Sequence, residues 1–181
     1  MKDRSMFGLF VIVAFGGVFL TVALFPLTHV PQRKAPGQKA VIIGGCDESL
    51  WAHTYHEQRL QVAERCASVT GITVDATKGK RKIGCRSEAD GDLHCWLKLD
   101  AGQEQYINQK NFGLQGGNLV YEPECQHRVT QEDAKQACKN WKQELQLAPI
   151  GAHVRITGAA VLDTQHGHRE IHPVSSIEVL K

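Results

Sequence analysis

Ser87–Asp100, SEADGDLHCWLKLD, is the stretch that decides the fold. Leu93, Cys95, Leu97 and Leu99 alternate with His94, Trp96 and Lys98. Successive side chains of a strand point to opposite faces, so strict alternation marks a half-buried strand. Asp90-Gly91-Asp92 before it is turn chemistry: the glycine accepts a positive φ, and the aspartates bond nearby backbone N–H groups. Lys82–Arg86 then forms the other arm of a hairpin. A turn centred on Asp90 sets Cys85 opposite Cys95, and His94 and Trp96 on the outward face.

Working outward, the composition is balanced. The 181 residues carry a formal net charge of +2 and only 7% aromatics. That combination argues against a strongly electrostatic or base-stacking nucleic-acid binder. All six cysteines lie after residue 45, and none forms a CxxC pair. The spacing does not suit a zinc ribbon, so disulfides in an oxidising compartment are expected. Six cysteines allow fifteen pairings, and the sequence alone does not choose among them. The expected set is Cys85–Cys95 in the hairpin, Cys125–Cys138 around a helix start and, by elimination, Cys46–Cys66.

Met6–Leu27 contains no charged residue and has about the 20-residue length of a bilayer-crossing helix. A signal peptide has a shorter apolar run and an A-x-A-like site, for which Thr21-Val22-Ala23 is a poor match. An uncleaved anchor is expected, with a cleaved signal peptide as the alternative. The cysteines orient it: N-terminus in the cytoplasm of a single-pass inner-membrane protein, the rest in the periplasm or extracellular space. The division is an anchor over 1–27, a linker over 28–45 and one domain over 46–181. Removing the anchor and linker start leaves about 145 residues, enough for a core of their own.

Along that domain, Cys66–Asp75 reads as a β-branched strand with a bend at Gly71. Gln103–Asn108 reads as a third strand, Asn111–Gly117 as a loop and Asn118–Glu122 as a short strand. Thr130–Leu147 has the marks of a helix. Thr130 is placed to cap it, Asp133 stands three residues on, and Ala134, Ala137, Cys138, Trp141 and Leu145 make one apolar stripe. His153–Asp163 and Arg169–Leu180 are the last strands, with Gly158 and Pro173 as points of irregularity. The expected class is mainly β with one or two helices. Its arrangement is an OB-like five-stranded barrel preceded by a single transmembrane helix, with the helix between the third and fourth strands. A small β-sandwich under a helix is the competing arrangement.

WAHTYHEQRL (Trp51–Leu60), CASVTG (Cys66–Gly71), EADGDLH (Glu88–His94), VRITGAAVLD (Val154–Asp163) and QHGHREIHPVSSI (Gln165–Ile177) together resemble a family. It is a group of bacterial membrane-anchored or secreted proteins with an OB-like β-barrel. The resemblance runs from Trp51 to the C-terminus. It implies a fold and an extracytoplasmic location, and no activity.

Parity singles out the candidate site. In the last strand Ile171, Ile177 and Val179 should face the core, which sets His168, Glu170 and His172 on the other face. Asp92 and His94 share the outward face of the central strand. Convergence of Asp92, His94, Glu170 and His172 would supply ligands acceptable to zinc or a similar divalent metal, and an open position would permit metal-assisted hydrolysis. The ordinary reading, that these residues lock the strands together, is preferred. His53, Tyr55 and His56 form a second polar-aromatic cluster, read as a packed cap with a ligand cleft as the sharper alternative. There is no GxSxG, P-loop or dinucleotide fingerprint.

The favoured function is therefore a non-enzymatic binding or structural module. OB barrels bind on the face of their second and third strands, which would present His94, Trp96 and Tyr106 to a glycan, peptide or protein partner outside the cytoplasm. The rival is a metal-dependent hydrolase using Asp92, His94, Glu170 and His172. Nucleic-acid binding through Lys78, Lys80, Arg81 and Lys82 ranks last on the balanced charge.

Overall fold

A computed structural model describes residues 42–77 and 84–181. The expected anchor Met6–Leu27, most of the linker, and the basic run Lys78–Lys82 lie outside the described residues. Among the described residues no helix is long and apolar enough to cross a membrane.

The chain enters through a two-stranded ribbon, β1 (Ile42–Ile43) and β2 (Cys46–Asp47), followed by 3-10 turns at Glu48–Ala52 and Glu57–Arg59. The long strand β3 (Leu60–Val74) follows, then β4 (Arg86–Ser87), β5 (Leu93–Leu99), a 3-10 turn at Glu104–Tyr106, helix α1 (Gln109–Gln115) and β6 (Leu119–Tyr121). β7 (His153–Asp163) and β8 (Arg169–Val179) close the list. Five of these strands form a closed barrel in the order β3–β7–β8–β6–β5, with β5 returning to β3. The β6–β8 pairing is parallel and the other barrel pairings are antiparallel. Closure excludes the sandwich.

The hairpin forms as its alternation requires. Arg86 pairs with His94 and Ser87 with Leu93, so Cys85 falls opposite Cys95 and bonds to it. Leu93, Cys95 and Leu97 point into the core with Leu119, Tyr121, Val154, Ile156 and Ile171. The other two bridges are Cys46–Cys66 and Cys125–Cys138. Gly71 lies where β3 pairs with β7 on one side and β5 on the other. A Cβ there would collide with the backbone carbonyl of Lys98, so this glycine lets β5 close against β3.

Five expectations give way. Thr130–Leu147 is not an α-helix. Residues 132–140 form successive turns, with bonds such as Ala137 N–H to Ala134 O and Trp141 N–H to Cys138 O, and 141–149 has no regular secondary structure. Tertiary contacts override the local pattern: the N–H groups of Thr130 and Gln131 both donate to Ala89 O, Asp133 accepts from the Tyr55 hydroxyl, and Cys138 is tied to Cys125. The apolar stripe survives in part, since Ala134 is buried and Trp141 half-buried.

Gln103–Asn108 is a 3-10 turn rather than a strand, and Asn111–Gly117 belongs largely to α1. Asn108 caps that helix, its side chain accepting from the Lys110 and Asn111 N–H groups while the Asn111 side chain accepts from the Asn108 N–H. The helix thus connects the second and third barrel strands, not the third and fourth. Finally, Val179 is 57% exposed, and Val174 takes a core position with Ile171. Register shifts on both sides of Gly158 change the parity of β8 around the cis His172–Pro173 bond.

Candidate functional site

The outward face of β5, β6 and β8 carries a buried polar layer. β5 supplies His94, with Asp92 just before it. β6 lies between β5 and β8, and Glu122 and Glu124 follow its end. β8 supplies Glu170 and His172, with His168 just before it. Asp92, His94, Glu124, His168, Glu170 and His172 are each no more than 4% exposed, and Glu122 is 7% exposed. Three segments cover the layer: α1 through Gln115, the 3-10 region through Thr54, and the stretch 141–147 through Gln143.

The hydrogen bonds fix most orientations. His94 Nδ1–H donates to Glu122 Oε1 at 2.7 Å, which leaves Nε2 to accept from the Trp96 indole N–H at 3.2 Å. That indole also donates to Gln115 Oε1 at 2.8 Å. His172 Nδ1 lies 3.2 Å from Glu170 Oε1 and 3.3 Å from Glu122 Oε2, so it carries a proton. His168 Nε2 lies 3.1 Å from the other oxygen of Glu170. Asp92 Oδ1 accepts from the Cys125 N–H at 2.6 Å. Glu124 Oε1 accepts from the Thr54 hydroxyl, and its backbone N–H donates to Gln143.

Burial works against charge here, and the neighbours decide each outcome. Burial alone would lower the pKa of His172, but Glu124, Glu170 and Glu122 hold it well above the usual histidine range. Burial would likewise raise Glu170, but His168 and His172 hold it below the usual carboxylate range. Asp92 goes the other way: burial pushes it well up, and His172 opposes this incompletely. Burial also raises Glu124, against the pull of His172 and Thr54.

Two triads offer ligand atoms within 4.8 Å of one another: Glu122, Glu170 and His172, and Asp163, His168 and Glu170. A third grouping, Asp92 with Cys125 and Cys138, is spent, because both cysteines are in a disulfide.

All four residues marked as metal candidates, Asp92, His94, Glu170 and His172, therefore meet in one layer. They meet through β6 rather than by direct pairing of β5 with β8. The residues marked for ligand binding scatter. His94 is buried, and Trp96 is half-buried under Gln115, so the β5–β6 face is not an open platform. His53 stacks on Trp141 with ring centroids 3.6 Å apart and bonds Ala137 O through Nδ1. Tyr55 stacks on His56 and bonds Asp133. Tyr106 stands apart, beside a cleft of about 240 Å³ whose walls include Ala63, Glu64, Val161, Arg169 and Glu170.

Sequence reasoning missed Glu122, Glu124 and Gln115. The signal for the two glutamates was present: in LVYEPE they share the parity of Val120, opposite the core-facing Leu119 and Tyr121. No local signal marks Gln115, which arrives at the end of α1. Among known proteins, no family model, no curated protein and no solved structure matches the chain.

Proposed function

We propose that the chain is a membrane-tethered, extracytoplasmic OB-like module that binds a ligand and does not catalyse a reaction. The observation that carries this reading is burial. Asp92, His94, Glu170 and His172, the residues a hydrolase would use, are each no more than 2% exposed beneath three covering segments. A hydrolytic centre must admit both water and substrate, and a ligand site is typically a concave surface with a few convergent polar groups. The cleft beside Tyr106 fits that description. The OB-like reading is supported by the parallel pairing of the third and fifth barrel strands, although the helix occupies a different connection. The tether rests on the uncharged Met6–Leu27, and three disulfides suit an oxidising compartment.

The ligand class we assign to the cleft is a saccharide. The Tyr106 ring offers a stacking surface, Glu64 and Arg169 offer a carboxylate and a guanidinium, and Ala63 and Val161 form apolar wall between them. The test is a titration of the full chain in detergent with a chito-oligosaccharide, followed by amide chemical shifts. Saturable changes at Glu64, Tyr106 and Arg169 that disappear in Tyr106→Ala support the reading. Turnover of the sugar, or shifts confined to other surfaces, overturns it.

A further inference from the structure

We infer that the cleft beside Tyr106 takes a saccharide of the uronic-acid class, with the sugar carboxylate seated on the Arg169 guanidinium. The inference rests on the saccharide reading of that cleft and adds the charge of the ligand.

Arg169 is a cation at the cleft wall without an acid to face it. Arg59, Arg65, Arg86 and Arg155 each stand 2.5–3.5 Å from a carboxylate. Arg169 forms no ion pair among the described residues, and its Nη1 donates to the carbonyl of Gln105. One carbonyl accepts only part of what the guanidinium fork of N–H donors offers. The acids around the cleft are already engaged. Glu64 accepts from the Tyr106 hydroxyl at 3.0 Å. Glu170 lies 3.1 Å from His168 Nε2 and 3.2 Å from His172 Nδ1. Glu104, next to Gln105, accepts from the Gly102 N–H at 3.0 Å.

The guanidinium is also held in place before any ligand arrives. Asn111 of α1 accepts from the Arg169 backbone N–H and donates to the Arg169 carbonyl, both at 2.9 Å. Gln105 O fixes the other end of the residue. A planar fork fixed in this way matches the two oxygens of a carboxylate and loses little side-chain freedom on binding.

Finally, charge is divided across the cleft. β7 lies between β3 and β8. The backbones that carry Glu64 and Arg169 are therefore two strand spacings apart, roughly 9–10 Å. A carboxylate on Arg169 then sits against the attractive charge and about a Debye length from the repulsive one. Lys110, which has no ion pair among the described residues, adds to the positive side. Its Cγ would lie 3.3 Å from a Cβ on Gly167, two residues before Arg169. The Tyr106 ring and the apolar wall of Ala63 and Val161 are left for the sugar ring.

The experiment titrates the full chain in detergent with an oligogalacturonate and with its methyl ester, a pair that differs in the charge of the ligand and little else. Calorimetry gives the affinities, and amide chemical shifts locate the contact. The acid should bind ~10-fold tighter than the ester, with shifts at Glu64, Tyr106 and Arg169. The preference should shrink in high salt and vanish in Arg169→Gln. The wild-type comparison of acid with ester stands whether or not that variant folds. Equal affinity for the two, or binding of a neutral chito-oligosaccharide alone, would overturn the inference and leave the saccharide reading intact. A preference for the acid that survives in folded Arg169→Gln would place the carboxylate elsewhere and overturn the assignment. No shift at these residues with any of the three sugars would remove the inference and the saccharide reading together.

Discussion

Gly158 of β7 and Pro173 of β8 face each other so closely that a Cβ on the glycine would collide with the carbonyl oxygen of the proline. The same Cβ would lie 2.6 Å from Ile171 Cγ2 and 3.0 Å from Val174 Cα. The obstacles are backbone and core atoms, so the neighbours cannot turn aside. Gly158→Ala is expected to destabilise the domain by ~1–3 kcal/mol through overpacking. Because it presses on the residue after His172, it should also disturb the polar layer. Chemical denaturation monitored by tryptophan fluorescence measures the first effect. An unchanged midpoint would mean that β8 can shift outward freely.

Helix α1 offers a contrast. Gly113 lies inside it with nothing within 4 Å of an added Cβ, so Gly113→Ala should stabilise by ~0.5–1 kcal/mol on helix propensity alone. Asn108→Ala should do the reverse. It removes a cap, typically ~1 kcal/mol, and also the bond from Asn108 Nδ2 to Gly167 O that ties the helix to the β7–β8 turn. Its signature is a loss at Gly167 as well as in the helix, visible in the amide exchange of both segments. Loss confined to α1 would show that the link to the turn contributes nothing.

These two sites show where sequence reading succeeds and where it stops. Alternation over Leu93–Leu99 and the Asp90-Gly91-Asp92 turn are local properties, and they lead directly to the Cys85–Cys95 register. The irregularity expected at Gly158 appears as register shifts on both sides of it, whereas at Gly71 the β3–β7 ladder runs on without a shift and the glycine marks the close approach of β5. The stretch Thr130–Leu147 fails because its caps and stripe are local, while Ala89, Tyr55 and Cys125 recruit the same atoms from afar. The polar layer is half legible. Parity places His168, Glu170 and His172 on one face and Asp92 and His94 on another. Only the topology reveals that β6 lies between them and brings Glu122 and Glu124. Val179 goes astray for the same reason, since the register shifts at Gly158 are invisible to a period-two count.

Asp100 at the end of β5 carries a pH prediction. Its Oδ2 accepts from the Thr70 hydroxyl at 2.6 Å and lies 2.8 Å from His153 Nε2, and the Thr70 bond is the larger cause of its lowered pKa. A depressed carboxylate contributes stability that is present above its unfolded value, near 3.8, and lost as pH falls through the folded value. Thr70→Val should therefore raise the Asp100 pKa toward 3.8, and the acid limb of unfolding should begin at higher pH. Carboxyl carbon shifts across an acid titration report it directly. If Asp100 titrates at the ordinary value in the wild type, the bond to Thr70 does not favour the ionised form.

The Cys125–Cys138 bridge bears on how the cover stays closed. Cys138 lies in the turn region 132–140, and Cys125 lies next to Glu124 and donates its N–H to Asp92 Oδ1. The bridge thus joins the covering stretch to the polar layer through a single residue. Replacing both cysteines by serine should cost ~2–4 kcal/mol, the range for a disulfide that closes a loop of this size. The loss should not be spread evenly. The cover is otherwise held by a few contacts, such as His53 on Trp141 and Gln143 with Glu124 and Val174, whereas the barrel keeps its ladders. Local opening follows the weaker set of contacts. Amide exchange should therefore rise at Glu124, Cys125→Ser and the 141–147 stretch while β3 and β7 remain protected. Equal loosening of cover and barrel would mean that the two unfold as one unit and that the bridge acts only by constraining the unfolded chain, not by holding the cover closed.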